Sequence, residues 1–238
     1  MPARSEPADY AFHTTDPATN ATIGPRNGAA DIPAGGLQSY VLAFTPNAPF
    51  GPHEIPLVYS CANGPSPAPS IVGLNTLNLS ASPVPVPDIV AVLASTDPGY
   101  VIITPTTNTG VFAVAATNVG ITDTITANVD SGTANLPVTF TICQADFASR
   151  ACVAAPTATV TLPIGAHGTA GFGIFLRASA LVPDMPATNR AFVRFTDSAG
   201  TLRGSTSVAV RTGGGGGGGG DGGTASGDRG PSSLAADR

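Results

Sequence analysis

Residues 136–143 read Leu-Pro-Val-Thr-Phe-Thr-Ile-Cys, so that apolar and polar side chains alternate through most of the stretch. In an extended strand Val138, Phe140 and Ile142 would lie on one face, and the two threonines and Cys143 on the other. A helix would scatter these apolar side chains around its axis. The stretch therefore predicts a β-strand with one buried face.

The same alternation recurs outward from this strand in both directions. Turn residues separate about eight or nine such segments between residues 88 and 212, a spacing that is typical of a β-sandwich. No amphipathic helix longer than two turns is predicted. The segments are 89–94, 100–104, 111–117, 124–129, 136–143, 160–164, 172–176, 191–195 and 206–210. The chain is therefore predicted to be all-β.

Composition excludes several classes of function. Charged residues make up 11% of the chain, lysine is absent, and the formal net charge is -5. Nucleic-acid binding needs clustered basic side chains, which the scattered arginines do not provide. No apolar stretch is long enough to predict a membrane span. The three histidines lie far apart and no Cys-x-x-Cys occurs, so no metal or cofactor is expected.

Clusters of proline and glycine divide the chain into four parts. Residues 8–80 are predicted to form a partial domain, which we call the first repeat. Residues 81–87 form a proline-rich linker that begins near Ser80. Residues 88–212, the second repeat, form a complete sandwich. The glycine-rich tail, 213–238, is expected to be disordered because it has little apolar surface to bury.

Three blocks of the first repeat resemble three blocks of the second in the same order. The second block is a strand, an Ala-[Gly/His]-Gly turn and a strand that begins with an aromatic residue, and we interpret it as a hairpin because glycine tolerates the positive φ of such a turn. The paired blocks are 16–21 with 146–151, 32–36 with 164–168 (each followed by an aromatic strand), and 57–59 with 193–195. This similarity predicts an internal duplication.

The duplication has a consequence for the front of the chain. The first repeat begins near the counterpart of Phe140, so it has no counterpart of residues 88–135. Its missing strands would come from another chain, or else Met1 is an internal start in a longer gene, and we favour the second. A lost upstream region would also account for the missing signal peptide in residues 1–7.

Two strings suggest catalysis and are better explained as turns. Asp130-Ser131-Gly132-Thr133 matches the string of aspartic proteases, but those enzymes need two carboxylates and no second string occurs. We expect Asp130 in a hairpin turn between the strands at 125–129 and 136–142. His167 stands in a His-Gly-Thr string similar to that of subtilisin-like proteases, without a partner serine motif. It aligns with Gly35, which predicts a turn.

The cysteines suggest a cross-loop bridge. Cys143 and Cys152 flank a predicted loop, and a disulfide between them would close a small ring. Free thiols in a reducing compartment are the alternative. Cys61 has no counterpart in the second repeat. The aspartates at 88, 97, 123, 184 and 197 are dispersed, and we expect them at turns or on the surface rather than around calcium.

An apolar strand ends in Thr-Asn-x-Gly at 112–120, a Leu-Pro-x-Gly turn follows at 161–169, and a final hairpin is expected at 195–210. These motifs resemble those of bacterial surface immunoglobulin-like repeats of the CARDB and DUF11 type. The resemblance covers most of 88–212 and about 30–80. It implies immunoglobulin-like sandwiches in exported, non-enzymatic spacers or adhesive stalks, with no catalytic residues to carry over.

These observations predict a non-catalytic structural or adhesive module, a fragment of a longer repeat protein that is extracellular or on the cell surface. Its expected partners are neighbouring repeats of the same polypeptide and an unknown protein or surface. The alternative is a ligand-binding accessory module, for example for carbohydrate, although Trp is absent and only four Tyr occur. A remote alternative is a dimeric aspartic protease that uses Asp130.

Overall fold

The computed structural model describes residues 6–64, 67, 70–95 and 99–213. These residues are all-β, as predicted, and their one 3-10 turn spans Gly132–Ala134. Except for Gly213, the glycine-rich tail lies outside the described residues. The described part of the chain contains no helix long and apolar enough to cross a membrane.

The described residues of the first repeat form two antiparallel ribbons. In one, β1 (Ala8–Thr15) pairs with β2 (Ser39–Pro46); in the other, β3 (Phe50–Pro56) pairs with β4 (Thr76–Ala81). Because β4 continues through Ala81, the start of the predicted linker lies in a strand. The domain boundaries themselves stay a prediction.

The described residues of the second repeat form nine strands in two sheets. One sheet has the order β10-β8-β12-β13-β6, and the other has the order β5-β7-β11-β9. All of these pairs are antiparallel except that of β13 with β6. The strands are β5 (Ile89–Ala94), β6 (Tyr100–Ile103), β7 (Thr109–Asn118), β8 (Asp123–Asp130), β9 (Val138–Ala145), β10 (Thr159–Ile164), β11 (Thr169–Ala178), β12 (Arg190–Thr196) and β13 (Leu202–Thr212).

The two sheets of the second repeat close over a dry core. Alternate side chains of each sheet point inward, which is the pattern that the sequence predicted. Phe172 on β11 and Phe195 on β12 are fully buried, and their ring centroids lie 5.5 Å apart across the interface. The second repeat is therefore an immunoglobulin-like β-sandwich.

The strands beside the first two blocks of the internal duplication pair in the same register in both repeats. β1 pairs with β2 so that Thr15 lies opposite Ser39, and β9 pairs with β11 so that Ala145 lies opposite Gly171. These partners are related by the same offsets as the sequence blocks. Isolated bridges from Thr15 to Thr22 and from Ala145 to Cys152 repeat this correspondence.

The predicted correspondence of the third pair of blocks is wrong. Residues 193–195 lie in β12, but residues 57–59 follow the end of β3 and lie outside any strand. Val58 and Tyr59 are 52% and 56% exposed. The short apolar run therefore matched by composition and not by structural position.

Two predicted hairpins are also wrong. The turn after Asp130 joins β8 to β9, and these strands lie in different sheets because β8 pairs with β10 and β12. Likewise, the turn that contains His167 joins β10 to β11, again across the sandwich. Glycine-rich turns serve sheet-crossing connections as well as hairpins. The final hairpin, β12 to β13, is confirmed and carries a bulge between Phe195 and Thr196.

Candidate functional site

Asp130, the residue of the protease-like string, is held by structural contacts. It ends β8, and its Oδ2 accepts a hydrogen bond of 2.7 Å from Nε of Arg194 on the neighbouring strand. Its Oδ1 accepts a bond of 2.7 Å from the backbone N–H of Gly132. These contacts fix the turn between β8 and β9 and satisfy both carboxylate oxygens.

His167 occupies the turn that its alignment with Gly35 predicted. Its side chain is exposed and its φ is 60°, and the φ of Gly35 is 72°. Both turns close with the same bond, from the N–H of Gly168 to the carbonyl of Gly165 and from Gly36 to Pro33, each 2.8 Å long. The backbone position of His167 is therefore the repeated feature, independent of its imidazole.

Cys143 and Cys152 are placed with the geometry of a disulfide. Their Cα atoms lie 5.6 Å apart, inside the range that such a bond requires. Cys143 is buried against Gly173 on β11, whose lack of a side chain leaves room for the sulfur. The bridge itself stays a prediction, which thiol titration tests. Cys61 is free and exposed.

An identical aspartate loop follows β1 and β9. Oδ1 of Asp16 accepts bonds from the backbone N–H groups of residues 18 and 19 and from the Thr19 hydroxyl, at 2.9, 2.9 and 3.1 Å. Oδ1 of Asp146 accepts the equivalent three bonds, with Ser149 in place of Thr19, at 3.1, 2.7 and 2.8 Å. The backbone bond to residue 19 or 149 is the largest cause that lowers the pKa of each carboxyl, followed by the hydroxyl bond.

Asn118, at the end of β7, holds four segments of the second repeat together. Its side chain is fully buried. Its Oδ1 accepts bonds from the N–H groups of Asp88 and Gly120, and its Nδ2 donates to the carbonyls of Ile121 and Ile164. All four bonding sites of the amide are used, and they join the start of β5, a turn and the end of β10. The Asn-x-Gly string predicted a turn here but gave no sign of this network.

Sequence reasoning missed a second cluster at this end of the sandwich, which combines a local ion pair with a contact between residues 75 positions apart. Asp197, 6% exposed, forms an ion pair of 2.7 Å with Nε of Arg203. Oδ2 of Asp123 accepts a bond of 3.1 Å from the hydroxyl of Ser198 in the same hairpin turn, and that bond is the largest cause lowering the pKa of Asp123. Asp197 begins the turn of the final hairpin, as expected of these aspartates, because its carbonyl accepts a bond from the N–H of Gly200. The ion pair with Arg203 permits its burial.

Arg190 and Ser207 connect the second repeat to a loop of the first. Arg190 is 4% exposed, and burial lowers the pKa of its guanidinium. Its Nε donates 3.0 Å to the hydroxyl of Ser207, which donates 3.1 Å to the carbonyl of Val72. Gly73 has a φ of 74°, and a Cβ there would lie 2.7 Å from the Ser207 oxygen. A close backbone approach thus places this loop against β13.

Two open depressions on the described surface were compared with the requirements of a ligand site. One, of about 250 Å³, contains Phe147, and the other, of about 390 Å³, contains Phe50; neither is lined by a tyrosine. Tyr40 contacts Phe12 and Tyr59, and these rings are inclined at 72° and 49°. These rings pack edge-on or tilted against one another, so they do not form one flat surface on which a sugar ring could stack.

No family model matches this sequence, and no curated protein matches it. The crystal structure of the major pilin subunit of Bacillus cereus is similar with a TM-score of 0.28 and 13% sequence identity. The alignment covers 86% of this chain and 65% of the pilin, so the chain spans less than two thirds of its length. At this TM-score the likeness carries no argument about function. The resemblance to CARDB and DUF11 repeats stays a prediction.

Proposed function

We propose that the chain is a non-catalytic structural or adhesive module, built from immunoglobulin-like sandwich units, in an exported bacterial protein. The observation that carries the proposal is that Asp130 and His167, the two candidate catalytic residues, occupy structural positions. Asp130 is committed to Arg194 and Gly132, and His167 stands in a turn whose counterpart is a glycine. Among the described residues, no hydrogen bond or ion pair joins either side chain to a second carboxylate or to a nucleophile.

The cysteine geometry supports an extracellular location. A disulfide between Cys143 and Cys152 persists in an oxidising compartment and is rare in the cytosol. The bridge would tie the loop 146–151 to β9, which suits a module that must keep its shape outside the cell. Neighbouring repeats of the same polypeptide and an unknown surface component are the proposed partners.

Surface proteolysis of intact cells tests the location. We expect trypsin to release peptides of the second repeat from intact source cells, with the Cys143-containing and Cys152-containing peptides joined until reductant is added. A cytosolic protein in the same cells serves as the control for lysis. Release that requires lysis, or free thiols at Cys143 and Cys152, would contradict the proposed export.

Complementation of a deletion strain tests the structural role. We expect the deletion to reduce attachment of cells to a surface or to each other. A gene encoding Asp130→Asn together with His167→Gly should restore attachment as fully as the natural gene, because neither side chain performs chemistry. Failure of this double variant, despite normal folding and surface amount, would show that these groups act chemically.

A further inference from the structure

Part of the outer face of the second repeat is buried, although it lies on the side of the sheet that faces away from the core. Because Val193 of β12 points into the core, Arg190 and the residues of β13 on the same face point outward. Arg190, Ser207 and Ala209 are nevertheless 9% exposed or less. Arg194, further along this face, is partly exposed. A segment outside the sheet therefore covers one part of the face.

The cover over Ser207 comes from a turn of the first repeat, residues 71–74, which we call the docking turn. A hydrogen bond of 3.0 Å joins its first and last residues, and its third residue, Gly73, has the positive φ of a type II turn. The carbonyl of Val72 accepts the bond from the Ser207 hydroxyl. A Cβ on Gly73 would lie 3.1 Å from the backbone nitrogen of Ser207, so the two backbones pack directly against each other.

The docking turn is braced by other residues of the first repeat. The N–H of Gly73 donates 3.1 Å to the hydroxyl of Thr76, which donates 2.6 Å to Oε2 of Glu54 on β3. The N–H of Ile71 donates 2.6 Å to the side chain of Asn75. A segment that is already held in its bound conformation loses less conformational entropy when it binds. These bonds therefore favour contact between the turn and β13.

The linker provides a second attachment between the repeats. The carbonyl of Val86 accepts a bond of 3.2 Å from the N–H of Ile121. Just after the linker, the backbone of Ile89 lies directly against Gly204 of β13. Ser207 is three residues further along β13, a distance of about 10 Å. Two attachments at separate points restrain rotation as well as bending.

We propose that the docking turn locks the first repeat onto the outer face of β13, so that the two repeats form one rigid body. The inference rests on the proposed structural role and deepens it, because it identifies the surface through which one repeat binds its neighbour. Domains joined by a linker move relative to each other unless contacts between them prevent it. A locked pair gives a spacer a fixed length and direction.

Rotational tumbling of the full chain tests the lock. Relaxation of the backbone nitrogens in NMR gives a correlation time for each repeat, and we expect two equal values. Gly73→Ala should give each repeat a shorter time of its own. Alanine disfavours the φ of 74°, and its Cβ would lie 2.7 Å from the Ser207 oxygen.

Gly35→Ala is the matched control for Gly73→Ala. Gly35 has a φ of 72° in a similar turn, but a Cβ there would meet nothing within 4 Å. This variant therefore has the same backbone cost without the contact, and its two correlation times should stay equal. Unequal times in the natural chain, or equal times in Gly73→Ala, would overturn the proposal.

Hydrogen exchange measures the same contact from the second repeat and does not depend on the folding of Gly73→Ala. Ser207→Ala removes the donor to Val72 and the acceptor of Arg190 Nε. We expect the amide of Gly73 to exchange about tenfold faster. Ser205→Ala, on the same face of β13, should leave that exchange unchanged, and equal rates in the two variants would overturn the proposal. Both measurements use purified protein, so they can reject the lock even where the natural gene restores attachment of cells.

Discussion

The β1–β2 ribbon and the β9–β11 ribbon share their register and differ in burial. Tyr40, Leu42 and Phe44 occupy the positions of Phe172, Ile174 and Leu176. The three residues of the second repeat are at most 1% exposed, whereas the three of the first are all partly exposed. The same strand chemistry thus produces a closed core in one repeat and a half-open face in the other.

The difference in burial comes from the opposite sheet and not from the paired strands themselves. In the second repeat β8, β12 and β13 form a sheet that lies across β11, and Phe195 packs on Phe172. In the first repeat, the described residues supply only the β3–β4 ribbon as a second sheet. Alternating apolar residues therefore determine which face is able to be buried, and the opposite sheet determines how much burial occurs.

Truncation of equivalent aromatic residues should show the largest contrast between the repeats. Phe172→Ala removes a fully buried ring and should lower the free energy of unfolding by about 3–5 kcal/mol. Tyr40→Ala removes a partly exposed ring and should cost only about 1 kcal/mol. Urea unfolding followed by circular dichroism measures both. Similar losses for the two variants would mean that the first repeat has a closed core in solution.

Asn118 should produce the next largest effect, because its buried amide makes four hydrogen bonds. Asn118→Ala leaves the N–H groups of Asp88 and Gly120 and the carbonyl of Ile164 without their partner. We expect a loss of about 2–4 kcal/mol in the free energy of unfolding.

Thr117→Ala is the matched control for Asn118. The Thr117 hydroxyl makes one exposed hydrogen bond of 2.9 Å with Thr169, so its loss should cost about 0.5 kcal/mol or less. Thermal unfolding of the two variants in parallel measures the difference. Equal stability of both variants would contradict the structural role assigned to the Asn118 side chain.

The comparison can also be tested by removing the predicted disulfide from the second repeat and introducing one at the equivalent positions of the first. Loss of the ten-residue ring in Cys143→Ser should cost about 2–3 kcal/mol, measured as a shift in the urea midpoint. His13 and Thr22 hold the positions of Cys143 and Cys152 in the first repeat, beside the bridge from Thr15 to Thr22. His13→Cys with Thr22→Cys should therefore oxidise to a new disulfide. Persistent free thiols at these positions would show that the two loops differ in solution.

Much of the fold could be predicted because strand alternation is a local property. The inner face of β9, the turn at His167 and the first two repeat blocks all follow from spacing within a few residues. The sheet to which each strand belongs did not follow. The turns after Asp130 and around His167 carry hairpin residues, yet both cross between sheets because β8 and β10 pair with each other.

The residues that organise the site could be predicted less well. Asn118 binds groups up to 46 residues away in the chain, and Asp123 contacts a serine 75 residues away. No sequence spacing reveals such contacts in the absence of a known topology. The ion pair between Asp197 and Arg203 is local, but its burial depends on how the final hairpin packs against β5 and β8.

The two aspartate loops should give the smallest difference between the repeats. Hydrogen bonds hold the folded-state pKa of Asp16 and of Asp146 below the ordinary value. Each carboxylate therefore stabilises the fold above its unfolded pKa, and that stabilisation is lost as the pH falls through the lower, folded pKa. Carbonyl chemical shifts measured against pH should give two nearly equal midpoints.

Thr19→Val and Ser149→Ala each remove the hydroxyl donor but keep the backbone donor, which is the larger cause of the lowered pKa. Each midpoint should therefore rise part of the way toward the ordinary value, and by a similar amount in both repeats. A midpoint that moves in one repeat only would show that the shared hydrogen-bond pattern does not give the two carboxylates the same electrostatic environment.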